Sequence, residues 1–218
     1  MSDFYLPQRA FFTITYRCPF ADPTPKIDGN LREWDSVMSL PNITSIDGQK
    51  PYADCYMCWN NEGLYFGIQV NNKMKYQLNP NDPTKGDCVQ LFVDTRDVKT
   101  HRANRYCHRF YFLPGGIGKT IKTPFGRQIA IENAQEQSPP CPEDSIKARV
   151  RILKKSYQME IKLPASGLNG FNPREFSRVG FTYLINDIEH GIQSWSAVPD
   201  MGVEHDPSTW GTAELVVK

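Results

Sequence analysis

The sequence predicts an all-β fold, an antiparallel sandwich of two packed sheets, on three observations. Apolar residues recur at every second position in short runs, the period of a strand with one buried face. Gly, Pro, Asn and Asp separate those runs, as turn residues do between strands. Stretches with the three-to-four spacing of an amphipathic helix are scarce. In chain order the runs fall at 9–16, 52–59, 64–71, 88–94, 105–113, 146–152, 157–163, 179–185, 193–198 and 212–217. The clearest pair is Ile146, Ala148, Val150 and Ile152 alternating with Lys147, Arg149 and Arg151, then Lys154-Lys155-Ser156, then Tyr157, Met159, Ile161 and Leu163 alternating with Gln158, Glu160 and Lys162. That is a hairpin with one wet face. The runs at 88–94 and 105–113 are strongly apolar and enclose a basic connection at 96–105, and such connections carry function more often than cores do. About ten strands suffice for two packed sheets.

At 218 residues, with 39% hydrophobic and 22% charged residues, the chain has the size and composition of one globular domain. Pro-rich segments at 19–25 and 139–142 fall between strand runs and are too short for domain linkers. The division expected is an N-terminal extension with one strand over 1–25 and a sandwich domain over 26–218. Lys and Arg number 25 against 24 Asp and Glu, a formal net charge of +1. Without a global positive field, nucleic acid and anionic membrane are not expected partners. No window reaches the roughly 18 consecutive apolar residues of a membrane span. The start, Met1-Ser2-Asp3-Phe4-Tyr5-Leu6-Pro7, lacks the basic and apolar regions of a secretory leader, which favours the cytoplasm. Asn42-Ile43-Thr44 is a glycosylation sequon in any eukaryotic chain that is secreted, so the compartment stays open, as does the oligomeric state.

Six cysteines, at 18, 55, 58, 88, 107 and 141, are too few and too irregular for a disulfide scaffold and are expected as thiols. Cys55-Tyr-Met-Cys58 has CxxC spacing, but on a strand an offset of three sends the sulfurs to opposite faces. Pro114-Gly-Gly-Ile-Gly118-Lys119-Thr120 resembles the end of a phosphate-binding loop. That pattern needs a glycine where Leu113 stands and a helix where Pro124 and Gly126 stand, so a glycine-rich turn is expected instead. The histidines at 101, 108, 190 and 205 have no ligand-like spacing, and no hydrolase or zinc motif is present. Asp82, Asp87, Asp94 and Asp97 are close enough in sequence to hold a hard cation such as Ca²⁺ if a loop gathers them. No other cofactor is expected.

Arginines and aromatics interleave over His101-Arg102-Ala-Asn-Arg105-Tyr106-Cys107-His108-Arg109-Phe110-Tyr111-Phe112, a pattern able to bind sugars, phosphates or bases. Strand parity puts Tyr106, His108, Phe110 and Phe112 on one face and Cys107, Arg109, Tyr111 and Leu113 on the other. The first set is core-like. Arg109 is the odd placement, because a guanidinium among apolar neighbours needs a carboxylate or a ligand.

Lys26-Ile-Asp-Gly29-Asn-Leu-Arg-Glu-Trp34, Cys58-Trp-Asn-Asn-Glu-Gly-Leu-Tyr-Phe-Gly-Ile-Gln-Val70 and Asp87-Cys-Val-Gln-Leu-Phe-Val-Asp94 resemble segments of the family-9 carbohydrate-binding modules and their DOMON-like relatives. Val179-Gly-Phe-Thr-Tyr-Leu-Ile-Asn-Asp187, Ser194-Trp-Ser196 and Asp206-Pro-Ser-Thr-Trp-Gly211 continue the match in order, so that it covers about residues 25–218. The resemblance implies a jelly-roll or immunoglobulin-like sandwich with a concave binding face, an extracellular setting, and a sugar end held between two tryptophans with charged and amide side chains around it. Pyranose C–H faces stack on indole, and hydroxyls need fixed hydrogen-bond partners. At the matching positions this chain has Thr84 and Glu204 in place of the tryptophans, Gln90 for a glutamate, Leu184 for a glutamine, and the same arginine at Arg109. Gln90 shares strand parity with Cys88 and Phe92, and Leu184 with Thr182 and Asn186, so that with Arg109 and Tyr111 they compose one mixed surface. Trp34, Trp59 and Trp210 read as framework. Trp195, on a short strand before the loop at 197–205, is the expected substitute for the aromatic clamp.

The expected function is therefore non-catalytic binding of a saccharide or other small polar ligand. Arg109 and Gln90 would hydrogen-bond to it, Tyr111 or Trp195 would stack, and Asn186, Glu204 and Thr84 would line the same face. A second class, haem-based electron transfer, is implied by the DOMON resemblance, with Met57, Met201, His108 and His190 as the available axial ligands. A third is a glycoside hydrolase or its accessory domain, for which no carboxylate pair stands out.

Overall fold

A computed structural model describes residues 7–115 and 124–217. The Gly118-Lys119-Thr120 end of the glycine-rich turn and the first six residues of the N-terminal extension lie outside the described residues. Among those described, eleven strands are formed: β1 (Thr15–Pro19), β2 (Ala53–Asn60), β3 (Gly63–Asn71), β4 (Cys88–Asp94), β5 (Cys107–Phe112), β6 (Gly126–Ile129), β7 (Lys147–Leu153), β8 (Ser156–Pro164), β9 (Arg178–Asp187), β10 (Gly191–Ser194) and β11 (Gly211–Val216). The larger sheet runs β1-β11-β9-β4-β5-β6, with β10 also paired to β9, and the smaller runs β2-β3-β8-β7. The expected all-β sandwich is what forms. Pairing is antiparallel except that β1 lies parallel to β11.

Period two does the sorting. Inward residues of the smaller sheet, among them Met57, Phe66, Ile68, Met159 and Ile161, meet Val89, Leu91, Phe110, Phe112, Phe181 and Ile185 of the larger in one core. Each such side chain gains roughly 1.5–3 kcal/mol by leaving water. The hairpin of β7 and β8 closes over Lys154-Lys155, with Leu153 opposite Ser156; its outward residues Lys147, Arg149 and Arg151 are exposed as the alternation predicts, whereas outward Glu160 is buried. Cys55 packs in this core while Cys58 faces outward under Trp34, and all six cysteines are free.

The run at 9–16 does not form the expected strand. Gln8–Phe11 is a single 3-10 turn and the strand begins at Thr15. The cause is Arg9, which turns inward. Its Nη1 donates to the carbonyls of Ser194 (2.6 Å) and Trp195 (2.9 Å), and its Nε pairs with Asp47 at 2.6 Å. A strand through Arg9 would carry this charge away from its partners, and buried charge is tolerated only when paired.

The Lys26–Trp34 motif covers the outer face of the smaller sheet, and one carboxylate holds it there. Glu160 is buried on β8; its Oε2 accepts the backbone N–H groups of Asp28, Gly29 and Asn30, and its Oε1 accepts the Trp34 indole N–H at 2.8 Å. Burial pushes the Glu160 carboxyl up, while the indole and the amides pull it back toward the ionised form. The indole then lies over Gly67, where an added Cβ would meet Trp34 Cδ2 at 2.9 Å and Leu31 Cδ2 at 3.0 Å. Only glycine lets the ring sit so close to the sheet.

His108 faces the core beside Phe110, ring on ring at 6.0 Å, with the Asn169 backbone and the Gln128 side chain near its nitrogens. Burial pushes its pKa down to about 4. Because the unfolded chain takes up that proton near 6.5, the folded state binds fewer protons between these values. Stability contributed by the neutral ring is thus complete above pH 6.5 and is lost as pH falls toward about 4. Chemical denaturation against pH is expected to show this loss, of about 3 kcal/mol, and His108→Phe to remove that component and leave the carboxylate titrations. An identical profile in the variant would exclude it.

Candidate functional site

The site residues grouped by parity lie together on the outer face of the larger sheet. Across β9, β4, β5 and β6 one row reads Leu184, Gln90, Tyr111, Arg127, and the next reads Thr182, Phe92, Arg109, Ile129. Asn186 lies beside Cys88 one row further on. Loops fold over this face and form two apolar clusters. Phe92, Leu184, Ala197, Val203 and Trp210 compose one; Cys88, Tyr111 and Leu113 pack with Leu78, Phe125 and Ile129 in the other.

Polar groups are embedded in these clusters. Arg109 is 5% exposed, and Gln90 and Tyr111 are 1% exposed. The Arg109 guanidinium donates from Nε (3.1 Å) and Nη2 (2.7 Å) to Gln90 Oε1, and its Nη2 pairs with Glu204 Oε2 at 2.6 Å. It also lies 5.4 Å from the Phe92 ring centre. The partner demanded by a charge in an apolar strand is thus an amide from the neighbouring strand and a carboxylate from a loop. Glu204 reaches it from the turn after Gly202, whose φ of +72° suits glycine, and its side chain remains 38% exposed. Asn186 Nδ2 donates to the Thr84 carbonyl at 3.1 Å, while Thr84 Oγ1 donates to Asp82, itself paired with Lys85 at 2.8 Å. Both positions matched to the tryptophan clamp, Thr84 and Glu204, therefore border this face.

Two polar atoms here, Gln90 Nε2 and Asn186 Oδ1, have no hydrogen-bond partner among the described residues, while the Tyr111 phenol has the Arg127 guanidinium beside it. Leaving such a group buried and unpaired costs about 1–3 kcal/mol. Such atoms are not unique to this face, since Arg96 Nη1 and Trp195 Nε1 are also buried without a partner among the described residues.

Arg127 was not anticipated. Its strand, Gly-Arg-Gln-Ile, has no alternating apolar run, so it left no period-two signal; the alternation of Phe125, Arg127 and Ile129 was the available hint. The guanidinium is exposed and stands 5.6 Å from the ring centres of both Tyr111 and Phe125. Burial pushes the Tyr111 phenol up and Arg127 beside it pulls it back.

Other expectations are corrected by position. Trp195 is 0% exposed and lies in the core, edge-on to Tyr16 at 6.5 Å and tilted against Phe181 at 5.6 Å. Ser194 pairs with outward-facing Leu184, so the next residue points inward; its ring is not available to stack on a ligand. The four aspartates do not converge. Asp87 pairs with Lys73 at 2.6 Å, Asp94 accepts the N–H groups of Arg96 and Val98, Asp97 accepts Thr212 Oγ1, and Asp82 holds Lys85. Asp87 precedes β4 and Asp94 ends it, about 20 Å apart at a strand's rise. Among the described residues no group of three or more His, Cys, Asp or Glu is placed to hold a metal ion. Nor do the axial-ligand candidates meet. Met57 and His108 are in the core, Met201 packs on the outer-face cluster, and His190 stacks on Tyr52 and bonds Asp187. No helix among the described residues is long and apolar enough to cross a membrane.

A model of the carbohydrate family 9 binding domain-like family matches residues 27–218. Two solved structures of a family-9 carbohydrate-binding module from Caldicellulosiruptor kristjanssonii share the fold, each with a TM-score of 0.66 at 14% identity over 94% of this chain. One, in complex with cellotriose, is covered over 95% of its length, and the other, in complex with glucose, over 97%. No curated protein sequence matches the chain.

Proposed function

Since the chain belongs to the carbohydrate family 9 binding domain-like family, we propose that it binds a saccharide on the outer face of the larger sheet. The observation that carries this reading is a fixed Arg109, held by Gln90 and by the partly exposed carboxylate of Glu204, on the face bordered by Asn186 and Thr84. A sugar offers hydroxyls that both donate and accept, so it suits a rim that presents a carboxylate and an amide side by side. Glu204 holds the guanidinium in place and keeps part of its own carboxylate open to a hydroxyl, with Thr84 on the rim. The similar module's complexes with cellotriose and glucose support this ligand class. With neither tryptophan of the clamp present, and with Tyr111 as enclosed as Trp195, the expected stacking on either ring is not available and binding is expected to rest on hydrogen bonds.

Calorimetric titration with a panel of mono- and oligosaccharides, glucose and cellotriose included, tests the reading. Binding is expected with favourable enthalpy, as for interfaces dominated by hydrogen bonds. Silence across the panel would overturn it. Each of the four aspartates already has protein partners, so calcium is proposed to be unnecessary. EDTA is expected to leave both the affinity and the Tm unchanged, and a loss of either on chelation would show otherwise.

A further inference from the structure

Two aromatic rings that the core does not use stand side by side at the surface. Phe11 is 73% exposed and Phe12 59%, in the N-terminal turn that Arg9 pins to the carbonyls of Ser194 and Trp195. Neighbouring exposed aromatics mark binding surfaces, as single scattered apolar residues do not. Both line a cavity of about 370 Å³ bounded by that turn and by the residues that enter β11, a volume within the range of small-ligand sites. Met201 and Trp210 complete its apolar wall.

The cavity adjoins the Arg109 group. The Arg109 guanidinium lies 5.4 Å from the Phe92 ring centre, the Phe92 and Trp210 ring centres are 5.6 Å apart, and Trp210 lines the cavity. Met201 on the cavity wall and Glu204 on Arg109 belong to the same loop, 197–205. In the sheet β5 and β11 are three spacings apart, about 14 Å, a distance on the scale of a trisaccharide.

The polar lining is made of acceptors. Both cations that line the cavity are committed to protein groups: Arg9 pairs with Asp47, and Lys99 Nζ donates to Asp97 Oδ1 (2.8 Å) and to the carbonyls of Trp210 (2.5 Å) and Gly211 (2.7 Å), which uses its three protons. Ser208 and Thr209, both half-buried, donate to Asp206, the first to its carboxylate at 2.6 Å and the second to its carbonyl at 2.7 Å. Ser208 Oγ also meets His101 Nδ1 at 3.1 Å. With their protons spent, these hydroxyl oxygens have only lone pairs to offer, and they suit a ligand that donates.

From this arrangement, and resting on the saccharide reading above, we infer that the ligand is a neutral oligosaccharide. One sugar meets Arg109 and Glu204, and a later sugar of the same chain lies in the cavity, its C–H face on Phe11 or Phe12 and its hydroxyls donating to Ser208 and Thr209. The aromatic contact absent from the two clamp positions is thus supplied by the N-terminal extension, outside the span 27–218 that matches the family. Covering half of one phenyl ring is worth about tenfold in affinity.

The test is calorimetric titration of the full chain with glucose against cellotriose and xylose against xylotriose. At least one trisaccharide is expected to bind about tenfold more tightly than its single sugar, with a ratio that salt leaves unchanged because no ion pair is made. In the double variant Phe11→Ala/Phe12→Ala the ratio is expected to fall to about one, while retained affinity for the single sugar shows that the domain is folded. Val37→Ala, which removes an apolar side chain of similar exposure (57%) outside the cavity, should keep the ratio. Trisaccharides binding no better than single sugars, or a preference that survives the double variant, would overturn the inference and leave the saccharide reading standing. So would a dimer in sedimentation that the double variant dissolves, since that assigns the rings to a second copy of the chain. No binding of any of the four sugars would overturn both.

Discussion

Arg109→Lys is expected to weaken saccharide binding by about 30-fold while the domain stays folded, and Arg109→Ala to abolish it. Arg109 is the point where two strands and a loop converge, with Gln90 Oε1 accepting from two of its nitrogens and Glu204 pairing with one of them. Lysine keeps the charge near Glu204 but cannot form the fork to Gln90, so the amide and the carboxylate lose their fixed orientation. One charge-assisted hydrogen bond is worth about 1.5–3 kcal/mol, and 1.4 kcal/mol is tenfold in affinity. Alanine additionally strands the Gln90 oxygen in an apolar cluster. Its cost in stability is held down because Glu204 is more than a third exposed and recovers water. Titration of both variants, with circular dichroism to show that each is folded, checks the expectation. Affinity unchanged in folded Arg109→Ala would remove the site from this face.

Glu160→Gln is expected to be the most destabilising conservative substitution among the buried polar groups described. The carboxylate accepts four hydrogen bonds, three of them from consecutive backbone amides, of which Asn30 also donates to Asp28 Oδ1 at 2.9 Å. An amide side chain offers one acceptor oxygen, so either the indole of Trp34 or the Asp28–Asn30 backbone must face an NH₂ group donor to donor. Leaving a buried donor unmatched costs about 1–3 kcal/mol, and two or more are affected, giving about 3 kcal/mol or more. For a domain of this size, thermal unfolding should shift down by about 6–12 °C, with a change in Trp34 fluorescence as the Lys26–Trp34 segment loosens. A shift below about 2 °C would show that the segment is held by packing on Gly67 and not by the carboxylate. Binding on the far sheet should persist in the folded fraction, because Glu160 belongs to the opposite layer of the sandwich.

Parity along β4, β5 and β9 was legible without coordinates. It put Gln90, Arg109, Tyr111 and Asn186 on one face, and they share that face in the structure. Side-chain alternation is a local property of extended backbone, so any strand correctly located reports its own two faces. Trp195 shows where that local argument ends: the end of β10 was misplaced by a few residues, and an error of one residue exchanges core for surface. β6 was invisible because a short edge strand need not be apolar, and with it went Arg127.

By itself, then, the sequence determined the sandwich, the strand faces and the need of Arg109 for a polar partner, because period-two burial and the cost of an unpaired charge are both written residue by residue. Which partner answers that charge and which aromatic rings remain reachable were decided only in the tertiary structure. Glu204 is 95 positions from Arg109 in the chain, Arg127 meets Tyr111 only through strand pairing, and Trp195 is enclosed by residues of both sheets. Those contacts depend on how loops close across the sheet, and loop closure is set by the summed packing of the whole domain, with no periodic signal in any one segment to announce it.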